Sequence, residues 1–120
     1  MLHDMSTLMR MTDLRRFVLG PCVLALLDIR PRYGLELVRD LTQAGELMTS
    51  GGTVYPLLNR LAELGLVESS WEIRSRAVPR LWYSITDSGR LELKKNREEW
   101  VRFQSLVDAV LMVNEKHEER

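Results

Sequence analysis

The side chains best suited to specific hydrogen bonding lie along one side of Gly51–Leu66. The apolar residues of this stretch recur at three- and four-residue spacing. That spacing predicts a short helix with an apolar face and an opposite, polar face. The polar face carries a glycine, a phenol, an amide and a guanidinium, supplied by Gly52, Tyr55, Asn59 and Arg60. An amide can pair with adenine and a guanidinium with guanine or a phosphate, so these groups could read DNA. The same groups are equally typical of a helix face that contacts only water.

A second group of guanidiniums follows within Trp71–Ile85, where Arg74, Arg76 and Arg80 accompany one acid, Glu72. The whole chain has 17 basic and 17 acidic residues, and this zero net charge counts against a simple nucleic-acid footprint, which is usually basic. Charge must therefore be judged locally, and this cluster is the clearest local excess. The three arginines can contact phosphates, or they can neutralise the nearby glutamates.

Other chemistries find little support in the sequence. No nucleophile–base pair, paired-carboxylate site or phosphate loop is present, so we predict that the protein is not an enzyme. Cys22 lies in an apolar run while His3 and His117 lie near opposite ends, so we expect neither a metal site nor a cofactor. The longest apolar run, Phe17–Leu27, is shorter than the ~18 residues that cross a bilayer. We interpret it as a buried helix and expect a cytoplasmic protein with no membrane partner.

The elements that position the polar groups begin with two helices. Residues 1–11 have no helix cap and are interpreted as an N-terminal extension. A first helix is predicted from Thr12, and Gly20-Pro21 predicts a break or kink in it, because proline removes an interior hydrogen bond. The second helix is predicted over Tyr33–Leu41.

The third helix is the one that carries the polar face. Thr53 is its predicted N-cap, which places Pro56 in the first turn, where its missing N–H does no harm. A start at Ser50 is the alternative, with Pro56 then straining the second turn. Gly65 is the predicted stop. The backbone N–H groups and hydroxyls at Ser50, Gly52 and Thr53 would favour a phosphate at this helix N-terminus.

After Gly65 the periodicity changes to that of a β-hairpin. Leu66–Glu72 alternates in the manner of a strand, and Arg80–Ile85 is rich in the aromatic and apolar residues of a returning strand. Ile73–Pro79 is the loop between them. We expect Trp71 and Trp82 in the core of this hairpin.

A long final helix begins at the capping residues Thr86-Asp87-Ser88 and runs to about Val113. Its apolar stripe would extend beyond so small a domain, and a second copy of the chain is the simplest partner for it. The predicted dimer-interface residues are Leu93, Trp100, Phe103, Val107, Val110 and Leu111. Trp100 can pack in that interface, or it can form the wall of a pocket in which a flat effector stacks.

Three helices, a hairpin and a long helix describe a mainly α fold with a small β-hairpin, a winged helix-turn-helix followed by a dimerisation helix. The domain boundaries are predicted at 12–86 for the DNA-binding unit and 87–120 for the dimerisation helix and tail. In this order of elements the sequence resembles the PadR family of bacterial winged-helix transcriptional regulators. The matching residues are Tyr33-Gly34, Gly52-Thr53-Val54-Tyr55-Pro56-Leu57-Leu58, Arg60-Leu61, Gly65-Leu66-Val67, Pro79-Arg80, Trp82-Tyr83, Ile85-Thr86, Gly89 and Trp100.

The resemblance implies a homodimer that is built through the last helix, often with help from the N-terminal segment. It also implies binding to pseudo-palindromic operators, repression in most members, and in many members a response to small hydrophobic or phenolic compounds. With one last helix and no large C-terminal domain after it in this sequence, the chain is similar to the compact branch of the family.

Two functions therefore compete at this point. The first is a DNA-binding regulator, and the second is a winged-helix module that binds another protein, which zero net charge supports. Individual residues have alternatives too: Tyr55 can pack on the second helix, Asn59 can be solvated, and Arg60 can pair with Glu63. The predicted DNA-binding residues are Ser50, Gly52, Thr53, Tyr55, Asn59, Arg60, Arg74, Arg76 and Arg80.

Overall fold

The computed structural model describes residues 11–44, 51–74 and 76–113. Ser50, residues 1–10 of the predicted extension and the chain after residue 113 lie outside the described residues. The elements are, in chain order, α1 (Met11–Ile29), β1 (Arg32–Tyr33), α2 (Gly34–Gln43), α3 (Gly51–Glu63), β2 (Val67–Glu72), β3 (Arg80–Ile85) and α4 (Asp87–Leu111).

The predicted fold class is confirmed, with one addition to the sheet. β2 and β3 form the expected antiparallel hairpin, and β1 joins β3 from the other side, giving the strand order β1-β3-β2. Tyr33 of β1 lies opposite Trp82, and Arg32 opposite Tyr83. A two-residue strand is too short to produce a periodic pattern, so β1 could not be predicted from the sequence.

Of the break or kink predicted at Gly20-Pro21, the break is wrong, because α1 continues through Pro21 as one helix. Proline removes a single hydrogen bond from the interior of a helix. Leu19 before it and Val23 and Leu24 after it are all buried, and their packing offsets the lost hydrogen bond. None of the described helices is both long enough and apolar enough to cross a lipid bilayer.

The core lies where the helices meet one face of the sheet. Its buried side chains are contributed by every helix and by both long strands: Leu19, Val23, Leu24, Leu27, Leu37, Leu41, Val54, Leu58, Leu61, Val67, Tyr83, Ile85 and Leu93. Trp71 does not belong to it: its side chain is 64% exposed near the far end of β2, so the predicted core position is wrong. Trp82 is half-buried and packs edge-on against Tyr33.

Gly65 ends α3 as predicted, in the left-handed conformation with φ 75°. The Leu66 N–H donates to the Leu61 carbonyl at 2.9 Å and the Gly65 N–H to the Ala62 carbonyl at 3.0 Å, which is the Schellman arrangement. Thr86 then joins this end to the next helix, because its hydroxyl donates to the Gly65 carbonyl at 2.6 Å. The same hydroxyl oxygen accepts from the Gly89 N–H and so caps α4.

Arg32 fixes the start of α2 relative to α1. Its side chain is buried, with its Nε donating to the Leu26 carbonyl at 3.1 Å and its guanidinium 2.6 Å from the Asp40 carboxylate. A buried guanidinium needs such partners, since an unpaired charge in the interior is costly. These two contacts of Arg32 hold α1, β1 and α2 together.

Candidate nucleic-acid interface

α3 has the two faces that its sequence predicted. Val54 and Leu58 are fully buried and Leu61 is nearly so, which anchors the helix to the core. The residues on the opposite side, Thr53, Tyr55, Asn59 and Arg60, are all exposed. Four groups capable of hydrogen bonding therefore share the accessible side of a helix whose opposite side is anchored in the core.

The start of α3 differs from the prediction. The helix begins at Gly51, so Thr53 lies inside the first turn and is not the N-cap. Pro56 consequently lies beyond the first turn, where it leaves the Gly52 carbonyl without its usual partner. Burial of Val54 and Leu58 on either side of Pro56 offsets that loss. Gly52 lies in the first turn of the helix, where backbone N–H groups have no partner within the helix.

Tyr55 packs against α2 and still reaches solvent, so its position is compatible with both packing on α2 and contact with DNA. A Cβ atom at position 34 would overlap the edge of the Tyr55 ring, which gives a physical reason for the Tyr33-Gly34 pair. The Tyr55 side chain is nevertheless 45% exposed. Beside it, burial and the nearby Tyr55 raise the pKa of Tyr83 above its ordinary value.

The arginines of the site differ in their partners. Among the described residues Arg60 forms no ion pair, so the predicted alternative of an Arg60–Glu63 pair is absent from this structure. Arg74 neutralises a nearby glutamate, which was the alternative to phosphate contact, because its Nε lies 2.8 Å from the Glu72 carboxylate. That pair is well exposed and contributes little stability, since water screens it.

Arg76 and Arg80 lie at the tip and at the base of the hairpin loop. Arg76 is exposed and adopts a left-handed backbone with φ 67°, a conformation that non-glycine residues adopt mainly in turns. The Arg80 guanidinium lies over the Tyr33 ring, 4.6 Å from its centroid. Within residues 11–44, 51–74 and 76–113 neither arginine forms an ion pair, so both charges are available to a partner.

Next to Tyr55 the structure contains a groove that the sequence analysis missed. Its volume is about 470 Å³, and it lies between the start of α2, the outer face of α3 and the base of the hairpin. We call it the α2–wing groove, where the wing is the β2–β3 hairpin with its loop. It is lined by Tyr33, Gly34, Leu35, Arg39, Tyr55, Trp71, Pro79, Arg80, Leu81 and Tyr83. No spacing rule brings residues of separate elements together, so only the tertiary fold could place Leu35 and Arg39 of α2 beside Tyr55 of α3 and Trp71 of β2.

The apolar stripe of α4 divides into two parts. Leu93, predicted at a dimer interface, is only 2% exposed and packs in the core of its own chain, which corrects that assignment. Further along, the remaining stripe residues are exposed or half-exposed: Trp100, Phe103, Val107, Val110 and Leu111. The first turns of the helix thus cover the domain, and the later turns present the same stripe to solvent.

Comparisons with known proteins agree with this geometry. Residues 23–95 match the Transcriptional regulator PadR-like family. A PadR-family transcriptional regulator from Eggerthella lenta DSM 2243 is 33% identical, with 85% of this chain and 88% of that protein covered and a TM-score of 0.78. A PadR-like transcriptional regulator from Bacillus cereus strain ATCC 14579 is 32% identical over 78% of this chain and 91% of that protein, with a TM-score of 0.69.

More distant structures share the fold alone. A transcriptional regulator from Clostridium thermocellum is 23% identical over 80% of this chain and 92% of that protein, with a TM-score of 0.72. The sequence has no significant match among curated proteins.

Proposed function

The chain belongs to the PadR-like family of transcriptional regulators, and from this premise we propose that it is a homodimeric repressor that a small hydrophobic or aromatic effector releases from DNA. The observation that carries the DNA-binding part is the exposed side of α3 beside guanidiniums without ion pairs among the described residues. Asn59 and Arg60 supply the amide and guanidinium that recognise base edges. A regulator that acts on DNA works where the DNA lies, which supports the expected cytoplasmic location.

In the proposed complex α3 enters the major groove and the hairpin lies along the backbone. The first turn of α3, with Gly52, Thr53 and the preceding Ser50, would approach a phosphate, and Tyr55 would contact a sugar or a phosphate. Arg76 and Arg80 would contact phosphates from the wing. Arg74 would have to exchange its Glu72 partner for a phosphate, which is feasible because a solvent-screened pair contributes little.

The proposed homodimer rests on the second part of the α4 stripe. Phe103 is 61% exposed and Val110 is 72% exposed, although both continue the line of the buried Leu93. Phe17, on the first half of α1, is also largely exposed and would add to the same kind of surface. Large apolar side chains exposed in series are typical of a surface that a partner covers. A two-fold dimer would explain a pseudo-palindromic operator, with half-sites about one helical turn apart.

Phe103→Ala is expected to weaken dimerisation about tenfold, because a large aromatic at the centre of an interface carries much of its binding energy. DNA affinity should fall with it, since each subunit alone presents few basic groups. Sedimentation over a range of concentrations measures the first effect, and a gel shift measures the second.

Leu91→Ala is the matched control for Phe103→Ala. Leu91 is also exposed on α4, but it lies away from the stripe, so its loss should leave dimerisation unchanged. Equal dimerisation constants for the wild type and Phe103→Ala would refute the proposed interface.

The effector part of the proposal rests on Trp100, which is 51% exposed on the stripe. An indole ring between two subunits could stack against a flat ligand. Titration with planar aromatic compounds is expected to quench fluorescence that Trp100→Phe removes. If no compound in a broad panel quenches that signal, Trp100 serves only in packing.

The alternative function is a module that binds another protein in place of DNA. Equal numbers of basic and acidic residues support it, because most DNA-binding domains are basic overall. The exposed Arg60 and Arg76, which form no ion pair within the described residues, favour the regulator.

A further inference from the structure

The α2–wing groove is a concave surface beside α3, and the contacts proposed above use only Tyr55 and Arg80 of its lining. Three side chains in it are large, apolar and exposed: Leu35 is 47%, Tyr55 45% and Trp71 64% exposed. Exposed rings and aliphatic groups gathered around a concave surface are typical of a site that a partner covers. The chemistry of the remaining lining residues indicates which partner.

The groove carries positive charge without a counter-ion. Arg39 and Arg80 line it, no lining residue is acidic, and in the part of the chain that the structure describes neither arginine forms an ion pair.

Three acids on the surrounding elements are held in ion pairs, and Glu63 of α3 and Glu68 of β2 do not line the groove. Glu36 lies 2.6 Å from the Arg30 guanidinium, Asp40 lies 2.6 Å from that of Arg32, and Glu72 holds Arg74. The charged side chains that line the groove are therefore those of Arg39 and Arg80, and two guanidiniums suit an anion.

Arg80 is also held in place before any ligand arrives. Its guanidinium stacks over Tyr33, and the Tyr33 ring packs edge-on against Trp82 with 5.2 Å between centroids. A cation fixed over an aromatic ring keeps its N–H donors at the ring's periphery, directed outward for a second partner. The arrangement thus reduces the ordering that anion binding would require of this side chain.

We infer that the α2–wing groove holds one segment of the DNA backbone, with a phosphate between Arg39 and Arg80 and its deoxyribose against Tyr55 and Trp71. This inference rests on the proposed function and extends the DNA interface from α3 and the hairpin loop to α2. Two features favour backbone over a base: the walls offer apolar contact to sugar carbons, and the cations match a phosphodiester. The groove then adds affinity and fixes orientation without reading sequence.

Arg39→Ala tests the assignment. We expect about tenfold weaker binding, equally on operator and unrelated DNA, and a salt slope smaller by about 1, because one phosphate contact is lost. Arg39→Lys should restore most of the salt slope, since it keeps the charge. Lys95→Ala removes the same charge from an exposed position on α4 and should bind as the wild type does.

The outcomes separate this inference from the proposed function. If the wild type binds DNA and Arg39→Ala matches it in affinity and salt slope, the groove assignment is wrong while the regulator proposal stands. If the wild type binds no DNA, both are overturned.

Fluorescence gives an independent readout of the groove. A sugar placed on Trp71 should change the indole emission when DNA is added, and Trp71→Phe should abolish that change while Trp100→Phe retains it. A DNA-induced change that survives Trp71→Phe and disappears in Trp100→Phe would overturn the placement of backbone in this groove.

Discussion

Gly89→Ala is expected to lower the free energy of unfolding by roughly 3 kcal/mol or more, a large fraction of the stability of a small domain. A Cβ atom at this position would overlap the Leu66 carbonyl oxygen and lie 2.6 Å from Ile85 Cγ1. The carbonyl cannot retreat freely, because it accepts the Thr86 N–H at 3.1 Å. The start of α4 would have to move away from the end of α3, and urea denaturation measures the cost.

Gly65→Ala provides the matched control, since Gly65 lies next to Leu66 on the other side of the same junction. Its φ of 75° disfavours a side chain, but no atom lies within 4 Å of the added Cβ. The expected loss is only about 1 kcal/mol, from backbone strain alone. If Gly89→Ala unfolds no more easily than Gly65→Ala, α4 does not pack against this junction as the structure has it.

Arg60→Ala combined with Arg76→Ala is expected to weaken DNA binding by at least about a hundredfold, with dimerisation unchanged. One residue lies on the outer face of α3 and the other at the wing tip, both exposed and without ion pairs among the described residues. A dimer carries each change twice, so four contacts are lost. Filter binding or fluorescence anisotropy measures the affinity, and sedimentation checks the dimer.

Lys94→Ala with Lys95→Ala is the control for that double variant, because it removes the same total charge from exposed positions on α4. Affinity should then fall only slightly, through the weaker overall field. An unchanged affinity in the arginine double variant would remove Arg60 and Arg76 from the site.

Periodicity and turn chemistry predicted most of the fold. α3 could be recognised with its two faces because Val54, Leu58 and Leu61 repeat at helical spacing, and its end because Gly65 supplies a left-handed residue. Thr86 could be identified as a cap for the same local reason. These features depend on neighbours within one turn of the chain, which is the range over which a sequence pattern is informative.

The predictions that failed depend on contacts between distant segments. Pro21 remains inside α1 because leucines and valines on both sides are buried by other elements. Leu93 continues the α4 stripe by spacing, yet the position of the core decides that it is covered within its own chain. Trp71 follows the buried Val67 at two-residue spacing along β2, but it lies beyond the edge of the core.

The candidate site shows the same division. The exposed groups of α3 and the arginines of the hairpin could be named from the sequence, since each belongs to one element. The α2–wing groove could not, because Arg39, Tyr55 and Trp71 come from three elements that only the tertiary structure brings together.

The central claim is that this chain is a dimeric regulator that binds DNA. Its most direct test is a gel-shift titration of the full chain with DNA from upstream of its own coding region, from about 50 to about 200 mM salt. We expect a dimer–DNA complex at low salt whose affinity falls steadily as salt rises. A chain that is dimeric by sedimentation but binds no fragment of that region at low salt would contradict the regulator proposal and favour the protein-binding module.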